Sequence, residues 1–383
     1  MTALRDDVTA LPDADTLGGH TARQLLRLCE TVGLGDDDAT VYARTLLESL
    51  GTVAARPLDL PPPNRTFLSD DHTPVEFSLS FVPNAAPTLR VLLEPGCGTA
   101  GLARNGRTGL RFLRAMARRW DFSTDRLDEL EDLFLPVAPH GPLALWCALE
   151  LRPGGVPQVK VYLNPAASGP DRAADTVREA LHRLGHRKAF ADLPDAHRPL
   201  FFALDLGDWD EPRAKVYLAH HDLSAAEAGR LCRTDGGPPA ARTEEFFRIA
   251  AGLEPGLGAD EGQDERLTRR PVQSCHSFTE TASGLPSGFT LYVPVRDYAR
   301  HDGEALARAT ALLDRHGIDA APLRQALSAV TARRLEDGVG LIAYLSVAHQ
   351  GGHPPRVSVY VSSEAYRVRP PARLPLAEPV PVH

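Results

Sequence analysis

The sequence predicts an α+β fold in which ten antiparallel strands close into a barrel with helices on its outside. Two observations indicate this fold: strand patterns come in pairs separated by helical patterns, and each strand pattern alternates apolar with polar side chains. Because successive side chains of a strand point to opposite faces, each pair can bury one apolar face under its own helices. Closure into a barrel would remove exposed edges and place the polar faces around a lumen.

Two helices are predicted within residues 15–55, where apolar residues recur at helical spacing, and Asp36-Asp37-Asp38 is expected at the start of the second. The strands are predicted as hairpins, with about 75–81 paired to 88–94, 143–151 to 158–164, 200–206 to 213–219, 272–278 to 288–294 and 340–348 to 356–361. Further helices are predicted near 108–135, 171–186, 223–233, 241–253, 303–316 and 320–334.

We expect one domain over residues 1–383, with five helix-helix-strand-strand repeats over about 15–366. Segments 234–240 and 254–262 are rich in proline and glycine and are expected to be loops. The proline-rich tail, 369–383, is expected to be extended or disordered.

Composition excludes several classes of protein. The 383 residues carry a formal net charge of -8, which argues against binding to nucleic acid or to a membrane surface. No apolar run approaches the roughly 20 residues of a membrane helix, and the start, Met1 to Asp7, is polar. The five cysteines are far apart with no metal-binding spacing, as in a cytoplasmic protein with reduced thiols.

The lysines give the first indication of a site. The chain has three, and two of them, Lys160 and Lys215, each stand two residues before a tyrosine, Tyr162 and Tyr217. Residues at this spacing share one face of a strand, and Arg213 lies on the same face as Lys215. Several unpaired cations in one lumen would be unfavourable, so we expect them to hold a polyanion next to aromatic rings.

Five stretches carry a resemblance when they are taken in order: Phe67 to Glu76, Lys160 to Tyr162, Arg213 to Tyr217, Leu291 to Tyr298, and Tyr344 to Tyr360. With them the chain resembles the dimethylallyltryptophan synthase family of aromatic indole prenyltransferases, and its simplified loops are similar to those of the bacterial members. The resemblance implies the fold called the ABBA prenyltransferase barrel, with ten strands in five ααββ repeats and the active site in the lumen.

The resemblance also implies a reaction. A dimethylallyl group would pass from dimethylallyl diphosphate to the indole ring of L-tryptophan, by Friedel–Crafts substitution through a shielded allylic carbocation. No cofactor and no strict metal requirement are implied, and the sequence contains no aspartate-rich DDxxD motif. Two alternatives stay open: a non-catalytic barrel that binds a small anionic ligand, and a prenyltransferase acting on a cyclic dipeptide or another aromatic acceptor. We expect a monomer or a homodimer.

The family pattern implies roles for single residues. Glu76 would accept a hydrogen bond from the indole N–H, although a salt bridge to Arg90 or another cation is an alternative role for it. The expected diphosphate ligands are Arg90, Lys160, Arg213 and Lys215, together with two residues that depart from the family pattern, Thr290 where a glutamine is usual and Arg356 where a tyrosine is common. The expected shield of the carbocation is Tyr162, Tyr217, Tyr292, Tyr344 and Tyr360. The expected contacts of the aromatic substrate are Phe67, Leu68, Glu76, Trp146 and Arg198, and no metal ligand is expected.

The position of the indole ring that would be alkylated is judged from a difference between this sequence and some members of the family. Members of the family that alkylate indole C4 use a lysine on the strand before Lys160, whereas residues 143–150 contain none. A position other than C4 is therefore expected, with C6 favoured over C5 or C7.

Two other motifs suggest different functions. Gly96 to Gly101 matches GxGxxG, but the strand before it alternates instead of being uniformly apolar, which disfavours nucleotide binding. The histidine pairs His220-His221 and His349 with His353 lack further ligands at the usual metal spacing, and we expect loop histidines.

Overall fold

The described part of the chain folds around a closed barrel of antiparallel strands. The structure, a computed structural model, describes residues 11–196, 198–207, 209, 212–234, 237–253, 266–279 and 284–372. The strands are β1 Val75–Phe81, β2 Thr88–Leu93, β3 Leu145–Glu150, β4 Gln158–Leu163, β5 Arg198–Leu206, β6 Ala214–His220, β7 Leu223–Ser224, β8 Arg266–Leu267, β9 Val272–Phe278, β10 Gly288–Val293, β11 Ile342–Gln350 and β12 Arg356–Ser362.

Ten of these strands form the barrel, in the order β1-β12-β11-β10-β9-β6-β5-β4-β3-β2, and β7 and β8 form a separate two-stranded sheet. Each neighbouring pair in the barrel is antiparallel. The helices are α1 Leu17–Thr31, α2 Asp36–Leu50, α3 Leu102–Trp120, α4 Asp125–Asp128, α5 Glu131–Phe134, α6 Ala173–Arg183, α7 Ala225–Gly229, α8 Ala240–Ala251, α9 Asp302–Arg315 and α10 Ala321–Val330. The predicted fold, with ten barrel strands and helices outside, is confirmed.

The alternation along each strand separates a core from a lumen. On β1, Phe77 and Leu79 are fully buried in the main hydrophobic core together with helix residues such as Leu25 and Leu28. The intervening residues of β1 begin with Glu76, which faces the interior of the barrel. The apolar layer between sheet and helices therefore fixes which side chains line the lumen.

Two predicted helices are shorter in the structure. The segment 108–135 is divided into α3, α4 and α5, because Asp121 takes a left-handed conformation (φ 51°) that ends α3. The segment 223–233 contributes only α7, since Leu223 pairs in β7 before Ser224 caps the helix through a capping box with Glu227.

Some predicted features lie outside the described residues. These are the segment 254–262, residues 235 and 236 of the loop 234–240, and all but the first four residues of the tail 369–383. Among the described helices, none has the length and apolar character needed to cross a bilayer.

Candidate active site

The barrel lumen contains two neighbouring cavities. The larger, of about 580 Å³, is lined by charged and polar side chains and is called the basic chamber; its lining includes Arg90, Glu150, Lys160, Arg213, Lys215, Thr290, Gln350 and Arg356. The smaller, of about 90 Å³, is called the aromatic chamber; its lining includes Phe67, Leu68, Trp146, Phe201, Arg270, Gln273, Arg296 and Tyr344. Residues that line both chambers include Glu76, Tyr162, Tyr217, Tyr292 and Tyr360. The predicted lumen residues are thus divided between two adjoining spaces.

One cluster of cations in the basic chamber surrounds Asp205. Arg213 Nε lies 2.6 Å from Asp205 Oδ2, Lys215 Nζ lies 3.0 Å from Oδ1, and Lys160 Nζ lies 3.9 Å from Oδ1. Asp205 stands opposite Lys160 across the β4–β5 pair. Burial acts against its negative charge, but the surrounding cations lower the pKa of Asp205 well below its usual range.

A second cluster surrounds Glu150. Arg90 pairs with Glu150 at 2.7 Å, and the charges of Arg90 and Arg356 overcome the effect of burial and lower the pKa of Glu150 to about 2. The Nε of Arg356 has no hydrogen-bond partner among the described residues, and repulsion from Arg90, with burial, lowers the pKa of Arg356 to about 10. The expectation that the lumen cations are unpaired is therefore wrong for most of them.

Positive charge is nevertheless in excess. Five predicted cations line this chamber, Arg90, Lys160, Arg213, Lys215 and Arg356, and two carboxylates pair with them: Glu150, which also lines the chamber, and the fully buried Asp205. Burial, followed by the charge of Lys215, lowers the pKa of Lys160 well below its usual range. An incoming anion would relieve this repulsion, so the chamber is suited to a small polyanion.

The predicted tyrosines form a continuous belt between the chambers. Ring centroids are 5.6 Å apart for Tyr162 and Tyr217, 5.8 Å for Tyr217 and Tyr292, 5.8 Å for Tyr292 and Tyr360, and 6.4 Å for Tyr360 and Tyr344. Tyr217 is also 5.8 Å from the ring of Phe201 in an edge-to-face contact. The structure thus brings all five tyrosines together, and their faces can stabilise a cation between the two chambers.

Glu76 is the carboxylate of this boundary. It is 6% exposed and accepts no hydrogen bond from the described residues, and burial raises the pKa of its carboxyl to about 8 despite the opposing charges of Arg296 and Arg270. The alternative salt bridge to Arg90 is not formed, because Arg90 pairs with Glu150. Glu76 is therefore a buried acceptor without a partner, as a site for an N–H donor requires.

The residues expected to contact an aromatic substrate are partly brought together. Phe67 stacks on Trp146 with centroids 6.3 Å apart, and Leu68 is buried beside them. Arg198 lies elsewhere: it is exposed at the first residue of β5 and lines neither chamber. Arg270 and Arg296 line the aromatic chamber instead.

These two arginines belong to an ion cluster with acidic residues. Arg270 donates to Asp70 at 3.0 Å, and Arg296 Nε lies 3.5 Å from the same carboxylate. The guanidinium of Arg296 also lies 4.9 Å from the ring centroid of Tyr344. Two cations of the aromatic chamber are thus held next to the tyrosine belt.

The other predicted motifs have structural contacts. Thr99 donates to Gly96 through both its backbone N–H (2.8 Å) and its hydroxyl (2.7 Å), in the turn that joins β2 to α3. The expectation of loop histidines is wrong for His220 and His349, which lie in β6 and β11; His220 is buried and shares a hydrogen bond of 2.8 Å with Ser274. Within the described ranges, no group of three or more His, Cys, Asp or Glu side chains is arranged to hold a metal.

A model of the family described as tryptophan dimethylallyltransferase matches residues 36–324. The chain belongs to this family of prenyltransferases. Prenyltransferase PriB, solved with L-tryptophan and dimethylallyl thiolodiphosphate, is 62% identical over 94% of this chain and 99% of its own, with a TM-score of 0.90. A 5-dimethylallyltryptophan synthase from Streptomyces coelicolor is also 62% identical, over 93% of this chain and 100% of its own, with a TM-score of 0.89.

A 6-dimethylallyltryptophan synthase from Micromonospora olivasterospora is more distant. It is 41% identical over 93% of this chain and 99% of its own, with a TM-score of 0.84. The family resemblance read from the five stretches of sequence is confirmed, and so is the assignment of the chain as an enzyme of this family.

Sequence reasoning missed the residues that complete the site. Asp205 and Glu150 are the counterions of the cations, Trp209 lies against one of the clusters, and Arg270 and Arg296 line the aromatic chamber. The sequence does indicate the positions of the two acids, because each stands between apolar neighbours in a predicted strand and therefore belongs to the face predicted to point inward. Trp209 and the two arginines lie outside the barrel strands, where the alternation gives no information.

Proposed function

We propose that the protein transfers the dimethylallyl group of dimethylallyl diphosphate to the indole ring of L-tryptophan. The observation that carries the proposal is the division of one lumen by the tyrosine belt, with an excess of cations on one side and Glu76 with aromatic rings on the other. PriB, at 62% identity, was solved with L-tryptophan and a thiolodiphosphate analogue of this donor, which supports the same pair of substrates here.

The donor would bind with its diphosphate in the basic chamber. We assign Arg90, Lys160, Arg213, Lys215 and Arg356 as its ligands, with Thr290 as a hydroxyl ligand on the same wall. As the C1–O bond breaks, the diphosphate leaves with the electron pair, and the cations stabilise its developing negative charge. In the proposed reaction these side chains neutralise the leaving group where other prenyltransferases use a divalent metal.

The tyrosine belt would protect the carbocation that remains. Each ring face stabilises a nearby cation by roughly 0.5–2 kcal/mol. Tyr162, Tyr217, Tyr292 and Tyr360 border both chambers, so their rings lie on the path from the donor to the acceptor. They also keep water from the allylic cation, which would otherwise form an alcohol.

The acceptor would lie in the aromatic chamber with its indole N–H donating to Glu76. Accepting this bond favours the ionised carboxylate, whose charge increases the electron density of the ring and stabilises the positive charge that the ring gains on attack. The ring carbon forms a bond to C1 of the dimethylallyl cation, and the ring then regains its aromaticity by giving up one proton, which the released diphosphate in the same lumen can accept. Phe67, Leu68 and Trp146 would form the walls of this pocket.

The carboxylate of tryptophan needs a cation at this end of the lumen. We assign Arg270 and Arg296, which line the aromatic chamber, in place of Arg198, which is exposed and lines neither chamber. Both already contact Asp70, so they are held in position before the substrate arrives.

We propose that the alkylated carbon is C5 or C6. The strand β3 and the residues before it carry no lysine, in keeping with a position other than C4. The sequence favoured C6, whereas the 62% identity to a 5-dimethylallyltryptophan synthase, against 41% to a 6-dimethylallyltryptophan synthase, favours C5. Nuclear magnetic resonance of the purified product distinguishes the two by through-space correlations of the isolated ring proton, which is H4, close to the side-chain CH2, in the C5 product and H7, close to the indole N–H, in the C6 product.

The test is product formation from dimethylallyl diphosphate and L-tryptophan in buffer containing EDTA. Equal rates with EDTA and with added Mg²⁺ are expected, with one diphosphate released per dimethylallyltryptophan. Turnover of a cyclic dipeptide in preference to tryptophan would assign a different acceptor. Binding of diphosphate without any product, over a panel of indoles and prenyl donors, would identify a non-catalytic binding barrel.

A further inference from the structure

Trp209 lies on the hairpin between β5 and β6 and lines the basic chamber. Its indole N–H donates to two backbone carbonyls, Val159 O at 3.1 Å and Leu206 O at 2.9 Å. The ring is thereby tied to both β4 and β5. The barrel itself therefore fixes the orientation of the ring. The proposed reaction gives Trp209 no role.

The ring faces three of the donor-site cations. The guanidinium carbon of Arg213 lies 5.0 Å from the ring centroid, and the ammonium groups of Lys160 and Lys215 each lie 5.7 Å from it. All are within the roughly 6 Å at which an indole face attracts a cation. The same three cations contact Asp205, so each has both a carboxylate and an aromatic ring as a neighbour.

An aromatic ring suits this position better than a second carboxylate. Burial, together with the charge of Lys215, disfavours the charged form of Lys160, and burial also lowers the pKa of Lys215. Another carboxylate would keep the lysines charged, but it would reduce the positive excess that attracts an anion. The quadrupole of an indole attracts the cations and adds no net charge.

We propose that Trp209 is a positioning residue of the diphosphate site, which holds Lys160, Arg213 and Lys215 in place for the diphosphate of the donor. The proposal rests on the function proposed above, because it takes the diphosphate of the prenyl donor as the ligand. Trp209 acts through the three cations and does not take part in bond making or breaking.

The experiment is calorimetric titration of the full-length protein with inorganic diphosphate, without an acceptor. Trp209→Leu is expected to weaken diphosphate binding by about tenfold, while Trp209→Phe, which keeps a weaker aromatic face, stays within about threefold of wild type. Trp120→Leu is the matched control, since Trp120 ends α3 outside the barrel and contacts Arg119. It should bind diphosphate like wild type. In steady-state kinetics the KM for dimethylallyl diphosphate should rise with the Kd, with little change in the KM for tryptophan.

Equal diphosphate affinity for wild type and Trp209→Leu would overturn the proposal. If Trp209→Leu does not fold, the double variant Trp120→Phe/Trp146→Phe leaves Trp209 as the sole tryptophan. Its emission should change on titration with diphosphate and saturate at the calorimetric Kd, because the anion alters the cations that face the ring; an unchanged emission would overturn the proposal. If wild-type protein forms product and Trp209→Leu binds diphosphate normally, only the role of Trp209 is refuted. If wild-type protein binds no diphosphate, the proposed function is refuted as well.

Discussion

The two chambers of the lumen differ in whether their ionisable side chains have partners of opposite charge. In the basic chamber most ionised groups have partners: Asp205 contacts three cations, and Glu150 pairs with Arg90. At the border of the aromatic chamber, Glu76 is buried without a partner, and its pKa is raised to about 8. The ion pairs of the basic chamber are therefore assembled without a ligand, whereas the aromatic chamber is bordered by a carboxyl group whose ionised form an N–H donor would stabilise.

The largest effect on turnover is expected from a substitution of Glu76, whose carboxyl group has no hydrogen-bond partner. Glu76→Gln keeps the shape of the side chain but removes the negative charge that stabilises the alkylated ring. We expect kcat to fall by about 100- to 1,000-fold, measured as dimethylallyltryptophan formed under saturating substrates. Diphosphate affinity should not change, because Glu76 contacts none of the cations of the basic chamber. Full turnover in the variant would show that the carboxylate has no part in the reaction.

Removal of a cation from the basic chamber should weaken the binding of the prenyl donor. Lys215→Ala deletes one charge-assisted contact and leaves Asp205 with fewer partners, so the KM for dimethylallyl diphosphate should rise by about 10- to 100-fold. Lys188→Ala is the control, since Lys188 is exposed and lines neither chamber. An unchanged KM for the donor in Lys215→Ala would place the diphosphate away from the Asp205 cluster.

The raised pKa of Glu76 predicts a pH dependence. In the free enzyme the carboxylate form increases as pH rises through about 8. The value of kcat/KM for tryptophan should therefore rise by about tenfold between pH 7 and pH 9. Residual activity of Glu76→Gln should lack this rise. A wild-type profile that is flat over this range would contradict a protonated Glu76 in the free enzyme.

A smaller effect is expected from the belt between the chambers. Tyr217→Leu removes one aromatic face while it keeps an apolar side chain, so water should capture more of the carbocation. We expect the ratio of dimethylallyl alcohol to prenylated tryptophan to rise by about three- to tenfold. Tyr217→Phe retains the ring and is the matched control. An unchanged ratio in Tyr217→Leu would indicate that this ring does not shield the cation.

Stability provides the smallest and most indirect test. Because the folded-state pKa of Glu76 is raised, the unfolded chain loses its proton first as pH increases, and folding stability falls between the unfolded value and about 8. Glu76→Gln should therefore melt at a higher temperature than wild type at pH 8 and at a similar temperature near pH 4. Glu336→Gln, on the exposed surface, controls for the loss of one carboxylate. Equal melting temperatures of Glu76→Gln and wild type at pH 8 would contradict this account.

The sequence predicted the fold and the inward faces because both depend on alternation within single strands. Lys160, Lys215 and the tyrosines alternate with valine and leucine, which identifies the face that each occupies without knowledge of its neighbours. The break after Trp120 was missed because the apolar spacing continues through α4 and α5, while a single left-handed residue, Asp121, ends α3.

The remaining parts of the site depend on contacts between distant segments. Asp205 acts on Lys160 because β4 and β5 pair in one register, and a shift by one residue would turn it outward. Arg296 reaches the aromatic chamber from the segment after β10, and Trp209 reaches the basic chamber from a hairpin. No periodic pattern indicates where such connecting segments place a side chain. Arg198 was expected to contact the substrate although it lay outside the predicted strand 200–206; it is the exposed first residue of β5 and lines neither chamber.

The proposal that the two substrates occupy different chambers is tested most directly by a crystal structure of this protein with L-tryptophan and the thiolodiphosphate analogue of the donor. We predict the indole nitrogen at about 3 Å from the carboxylate of Glu76 and the diphosphate in contact with Lys160, Arg213 and Lys215. The tyrosine belt should lie around the dimethylallyl group between them. A diphosphate bound to Arg270 and Arg296, or an indole ring in the basic chamber, would contradict the account.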